Sequence, residues 1–183
     1  MTEDLSNLKE FKDIIKSIEE KKYNEAETAL LKITDKRKNE FYPYQLLGIL
    51  YTKIGSYDKA LKHYEISLQI NSKNPGLYFD LGMMYRMLNH DNKSIEYFLK
   101  ATDLNPNIID AYLNIAKIYE KQKKFLDANK FFQKALSLNK DYIPSNKSYS
   151  NFLIKAGEIS KGLSYQYKYL GVIRFKKENL EII

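Results

Sequence analysis

The sequence predicts an all-α solenoid, and three observations carry that prediction. The first is a period. Small residues stand at Ala26, Ala60, Ser94, Ala128 and Gly162, spaced by 34, and large apolar ones follow four places later at Leu30, Tyr64, Phe98 and Phe132, until Gln166 breaks the series. A fixed period of about this length marks repeats that each leave a hydrophobic face for the neighbour to cover. The second is a helical stripe within the period. With repeats starting at Asn7, Phe41, Pro75, Ile109 and Ile143, the fourth, seventh, eighth and eleventh residues of the central three lie on one side of a helix. The third is punctuation. All four prolines, Pro43, Pro75, Pro106 and Pro144, fall at junctions between repeats, where proline suits a helix start or the turn before it.

Taken in order, the first repeat departs from the pattern, with Asp13 and Ile14 in place of a large–small pair and Ser17 in place of a tyrosine. The second carries Tyr44, Leu47, Gly48 and Tyr51, then a turn at Gly55, then Ala60, Tyr64 and Ser67 on its second helix. The third repeats this with Tyr78, Leu81, Gly82 and Tyr85, a turn at Asn89, and Ser94, Phe98 and Ala101. The fourth has Tyr112, Ile115, Ala116 and Tyr119, a turn at Lys123, and Ala128, Phe132 and Ala135. In the fifth, Tyr149 and Ser150 keep the pattern and Gly157 the turn, but Asn146 and Gln166 are polar where aromatics are expected. End repeats face water on one side, so their degradation supports the register. The small residues let two backbones approach closely, and the aromatics fill the space beside them. The expectation is one repeat domain of about ten helices over residues 1–170, followed by a tail at 171–183.

This pattern resembles the tetratricopeptide repeat, most strongly over residues 41–142. The resemblance implies antiparallel helix pairs wound into a right-handed superhelix. It also implies a protein–protein interaction module or assembly scaffold without catalysis of its own, whose first helices line a concave groove through their second, fifth, ninth and twelfth residues. Carried onto this chain, those places give Tyr42, Gln45, Ile49 and Thr52, then Phe79, Met83 and Arg86, then Asp110, Leu113, Lys117 and Glu120, then Lys147, Asn151 and Ile154. The expected partner-binding residues are Tyr42, Gln45, Ile49, Phe79, Met83, Arg86, Leu113, Lys117, Lys147 and Asn151. Phe79, Met83 and Leu113 are apolar yet lie off the core stripe, which points to a binding surface. Lys117, Lys121, Lys147 and Lys155 make the later part of the groove basic. The expected partner is a protein or peptide segment with apolar anchors and acidic residues. Lys147 and Asn151 match the pair with which some family members grip a C-terminal carboxylate, but Gln45–Ile49 and Phe79–Met83 do not, which argues against such a clamp.

The composition narrows the functional classes. Hydrophobic residues make up 44% and charged residues 29% of the chain, enough for both a core and solubility. No stretch approaches the roughly 18 apolar residues of a membrane span, and the first residues, Met1–Ser6, lack the apolar core of a signal peptide. Without cysteine there is no disulfide, thiolate chemistry or cysteine metal site, and a cytoplasmic location fits best. The net charge of +7 comes almost wholly from lysine, since only Arg37, Arg86 and Arg174 are arginine. Nucleic-acid recognition favours arginine forks among aromatics, so the charge reads first as compositional. His63 and His90 have no partner at metal-binding spacing. No phosphate loop or nucleophile elbow occurs, and pairs such as Glu19–Glu20 read as a solvated helix face. No metal or other cofactor is therefore expected.

Two functional alternatives stay open at this stage. One is a regulatory or substrate-recruiting region belonging to or serving an enzyme of transferase or oxygenase type. The other is a basic helical array that binds nucleic acid. The tail, with Tyr169, Leu170, Val172, Ile173, Phe175, Leu180, Ile182 and Ile183, is too apolar for a solvating cap. It could fold back as a partial sixth helix, pair with another chain as in a homodimer, or lead into a longer protein.

Overall fold

The computed structural model describes residues 2–170, 173–176 and 179–182, with side-chain surroundings for 9–167 and for 170. It divides into two compact units, one ending at His90 and the other beginning at Asp91.

The N-terminal unit contains α1 (Thr2–Glu19), α2 (Tyr23–Lys36), α3 (Phe41–Lys53), α4 (Tyr57–Ile70) and α5 (Pro75–Met87). The C-terminal unit contains α6 (Asp91–Leu104), α7 (Ile109–Lys121), α8 (Phe125–Leu138), α9 (Ile143–Lys155) and α10 (Ile159–Leu170). Within each unit the helices pack on their neighbours in sequence order. The described residues are thus all-α apart from a short terminal hairpin. Helices α3, α5, α7 and α9 begin at the expected repeat starts, and each is 13 residues long. The first helix differs: it starts at Thr2, five places ahead of Asn7.

Local chemistry fixes these ends. Pro75 occupies the first turn of α5, and the Asn74 carboxamide oxygen accepts the Gly76 N–H at 3.0 Å, satisfying a donor that the helix leaves unpaired. At the other end of every first helix the chain enters the left-handed region, at Lys21, Gly55, Asn89, Lys123 and Gly157, with φ of 62°, 79°, 59°, 59° and 86°. The next residue then reaches back to an orphan carbonyl, as in Ser56 N–H to Tyr51 O at 2.9 Å and Lys124 N–H to Tyr119 O at 2.9 Å. Glycine meets this backbone requirement at Gly55 and Gly157; at Lys21 and Lys123 a side chain is carried through it.

The core follows the small–large–small series. Ala60, Tyr64 and Ser67 are essentially buried, as are Ser94, Phe98 and Ala101, and Ala128, Phe132 and Ala135. Gly48 sits where any Cβ would run into the ring of Tyr64, so glycine at this crossing is a packing requirement. Two hydroxyls inside the crossings are satisfied by backbone carbonyls: Thr52 Oγ1 donates to Gly48 O at 2.8 Å and Ser150 Oγ to Gly162 O at 2.8 Å. Asn146, out of pattern in the sequence, is buried for another reason. Its amide donates to Lys140 O at 2.8 Å and Tyr142 O at 3.2 Å, holding the loop that enters α9.

The tail departs from the helical reading. Strand β1 (Ile173–Lys176) pairs antiparallel with β2 (Asn179–Ile182), Ile173 opposite Ile182 and Phe175 opposite Leu180. The sequence explains this, because Ile173, Phe175, Leu180 and Ile182 alternate with Arg174, Lys176 and Glu181 at the two-residue period of a strand. Val172 and Ile183 lie outside the described residues.

Candidate functional site

In the N-terminal unit the expected residues come from α3 and α5. Tyr42, Ile49, Phe79, Met83 and Arg86 are half-buried, so the apolar ones keep part of their surface open. Tyr42 is braced edge-on by Phe11 of α1, ring centres 5.1 Å apart. Gln45 is different. It is buried, its Nε2 donating to Asp80 Oδ2 at 2.6 Å and its Oε1 accepting from Asn74 Nδ2 at 2.8 Å. Its side chain is therefore a bridge between α3 and the start of α5 rather than an open groove contact.

Asp80 is the residue that the repeat positions passed over. Burial pushes its carboxyl up to about 6, against which the Gln45 amide works in the opposite direction. Burial, with the Asp80 charge added, raises the hydroxyls of Tyr64 and Tyr42 above their ordinary value. The sequence did hold a signal: one carboxylate in the apolar run Leu77-Tyr78-Phe79-Asp80-Leu81. Behind α3, His63 stacks on Tyr51 at 5.3 Å, and burial, helped by Lys62 and Lys59, lowers its pKa. His90 is exposed and stacks on Tyr85 at 6.2 Å.

In the C-terminal unit, Leu113 corrects the sequence reading. It is 3% exposed and packs in the core with Tyr112, Ala116, Phe132 and Phe152, because both flanks of α7 are covered, by α8 and by α6. It is therefore not an exposed groove residue. Lys117, Lys147 and Asn151, by contrast, are exposed and come together. They line an open cleft of about 660 Å³ between α7 and α9, with Glu120, Ile143, Pro144, Ser148 and Lys155. An adjoining cleft of about 500 Å³ adds Lys121, Lys123, Phe125 and Phe152. Two lysines are engaged, Lys155 with Glu120 at 2.8 Å and Lys121 with Asp91 at 3.1 Å. Lys147 enters no ion pair among the described residues. A cleft of about 670 Å³ beside α2 holds none of the expected residues; Arg37 and Glu10, paired at 3.3 Å, both line it.

Sequence profiles described as tetratricopeptide repeat match residues 44–76, 75–108 and 109–142, together more than half of the chain. The chain belongs to the tetratricopeptide repeat family. Its repeats support a protein-interaction scaffold, and family members are in general non-catalytic. No curated protein sequence matches this tetratricopeptide repeat chain. Among solved structures it is similar to PilF of Pseudomonas aeruginosa, with TM-score 0.80 and 16% identity over 92% of this chain and 77% of that one. PilW, a type IV pilus biogenesis factor, gives TM-score 0.77 and 20% identity over 93% and 80%. MamA gives TM-score 0.70 and 20% identity over 84% and 90%. At these identities the likeness is one of fold. Among the described residues no helix is long and apolar enough to cross a membrane, and no group of three or more His, Asp or Glu could hold a metal ion.

Proposed function

We propose that this tetratricopeptide repeat chain is a protein–protein interaction module or assembly scaffold that takes up partner segments on its first-helix faces. The observation that carries this reading is the α7–α9 cleft, where Lys117, Lys147 and Asn151 converge around open space. Ile143 and Pro144 give the cleft an apolar end while lysines supply the charge, so an acidic segment with apolar residues complements it. On the N-terminal unit the corresponding surface is Tyr42, Ile49, Phe79, Met83 and Arg86. A modular groove of this kind binds in the micromolar range, about −8 kcal/mol.

The test is affinity capture from lysate with wild type, Phe79→Asp/Met83→Asp and Lys117→Glu/Lys147→Glu, each checked for unchanged helicity. Proteins retained by wild type and lost from either folded double variant support the proposal. Equal retention by all three overturns it. Retention of nucleic acid alone, released by salt with a slope of roughly 0.7 log units per phosphate contact, would replace it with a nucleic-acid reading.

A further inference from the structure

Asp80 is a half-buried carboxylate on α5, set among apolar residues. Glu120, Asp91 and Glu10 have cationic partners in the ion pairs described above. Asp80 has none: its hydrogen bond is the one from the Gln45 amide, and no ion pair among the described residues includes it. A carboxylate offers about four acceptor positions, so one amide leaves most of its capacity unused. A carboxylate partly withdrawn from water without a counter-charge is held at a cost to the fold, while the surface it keeps open lets a partner reach it. The flanks are also telling. Tyr42 and Gln45 on one side and Phe79 and Met83 on the other come from adjacent first helices of a single compact unit, and all but Gln45 keep part of their surface open.

We infer that Asp80 is the anchor for a cationic side chain, a lysine or arginine flanked by apolar residues, on a partner segment lying over α3 and α5. The inference rests on the proposed interaction function and names what that function recognises at the N-terminal unit. The apolar flanks receive the stem and neighbours of the incoming residue, as long basic side chains bury their methylenes while presenting the charge. Gln45, fixed by Asn74, holds the carboxylate in one orientation, so little ordering remains to be done on binding. Arginine suits such a site best, because its fork can use two acceptor positions at once.

The test uses the whole chain and a library of random 12-residue peptides displayed on phage, selected in parallel on wild type and on Asp80→Asn. The expected result is enrichment of peptides with Arg or Lys between apolar residues on wild type, and loss of that enrichment on Asp80→Asn. A selected peptide is then synthesised with arginine or with its neutral isostere citrulline. Anisotropy titrations should show citrulline weakening binding to wild type by about tenfold or more and binding to Asp80→Asn by less than about twofold. Peptides selected without a cationic preference, or with the same preference on Asp80→Asn, overturn this inference and leave the scaffold reading standing. A library that yields no binder on wild type overturns both.

Discussion

The ring of Tyr64 occupies the space that a side chain on Gly48 would need, so the crossing of α3 over α4 is set by a missing methyl group. Tyr64 is buried and cannot swing out, and the Cβ of any other residue must push helices apart. Gly48→Ala should therefore destabilise the protein by about 1–3 kcal/mol, although alanine is the better helix former. A urea midpoint equal to or above that of wild type would show that the ring yields at no cost.

The same logic applies to the fourth repeat, where Ala128 is fully buried against α7. Ala128→Leu should overpack this crossing and lower stability by about 1–3 kcal/mol. An unchanged melting temperature would place the 34-residue register elsewhere.

Lys123 carries a side chain through φ of 59°, a conformation that glycine holds at Gly55 and Gly157. Lys123→Gly should raise stability by about 0.5–1 kcal/mol, since relief of left-handed strain outweighs the greater freedom of glycine in the unfolded chain. Chemical denaturation of both forms measures it, and a loss of stability would mean that the lysine contributes something beyond the backbone.

Asp80 should make stability depend on pH in the direction opposite to that of most carboxylates. Its folded pKa of about 6 lies above the ordinary 3.8, so folding favours the protonated form. That preference is fully available below about pH 4 and is lost as pH rises through 6. The rise corresponds to at most about 3 kcal/mol. Tyr42 and Tyr64, the titratable groups that face it, stay neutral throughout this window. Asp80→Asn should raise the unfolding midpoint by several degrees at pH 7.5 and hardly at all at pH 4. An equal gain at both values would show that the ionised carboxylate carries no penalty.

Most of the fold was legible because its determinants are local and repeated. The 34-residue series named the buried side chains of α4, α6 and α8, and the turn residues Gly55, Asn89 and Lys123 all fall in left-handed backbone. Phe41, Pro75, Ile109 and Ile143 each open a helix for the same reason. The candidate site was less legible because it depends on which flanks of a first helix are covered. Gln45, Phe79, Leu113 and Lys147 hold the same repeat position, yet Leu113 is core, Gln45 is a buried bridge and Lys147 is open to solvent. That difference comes from neighbouring helices, which a pattern within one repeat does not encode. Asp80 needed a partner 35 residues away to acquire its meaning.

The turns offer one more use. At Gly55 and Gly157 an added Cβ would meet nothing within 4 Å, and the chain contains no cysteine. Cysteines placed at these two positions would each cost about 1 kcal/mol for a side chain in left-handed backbone. They would be the only thiols in the molecule, one on each compact unit and both off the first-helix faces. A donor and an acceptor dye attached there would turn the spacing of the two units into an optical signal, readable molecule by molecule as a partner arrives.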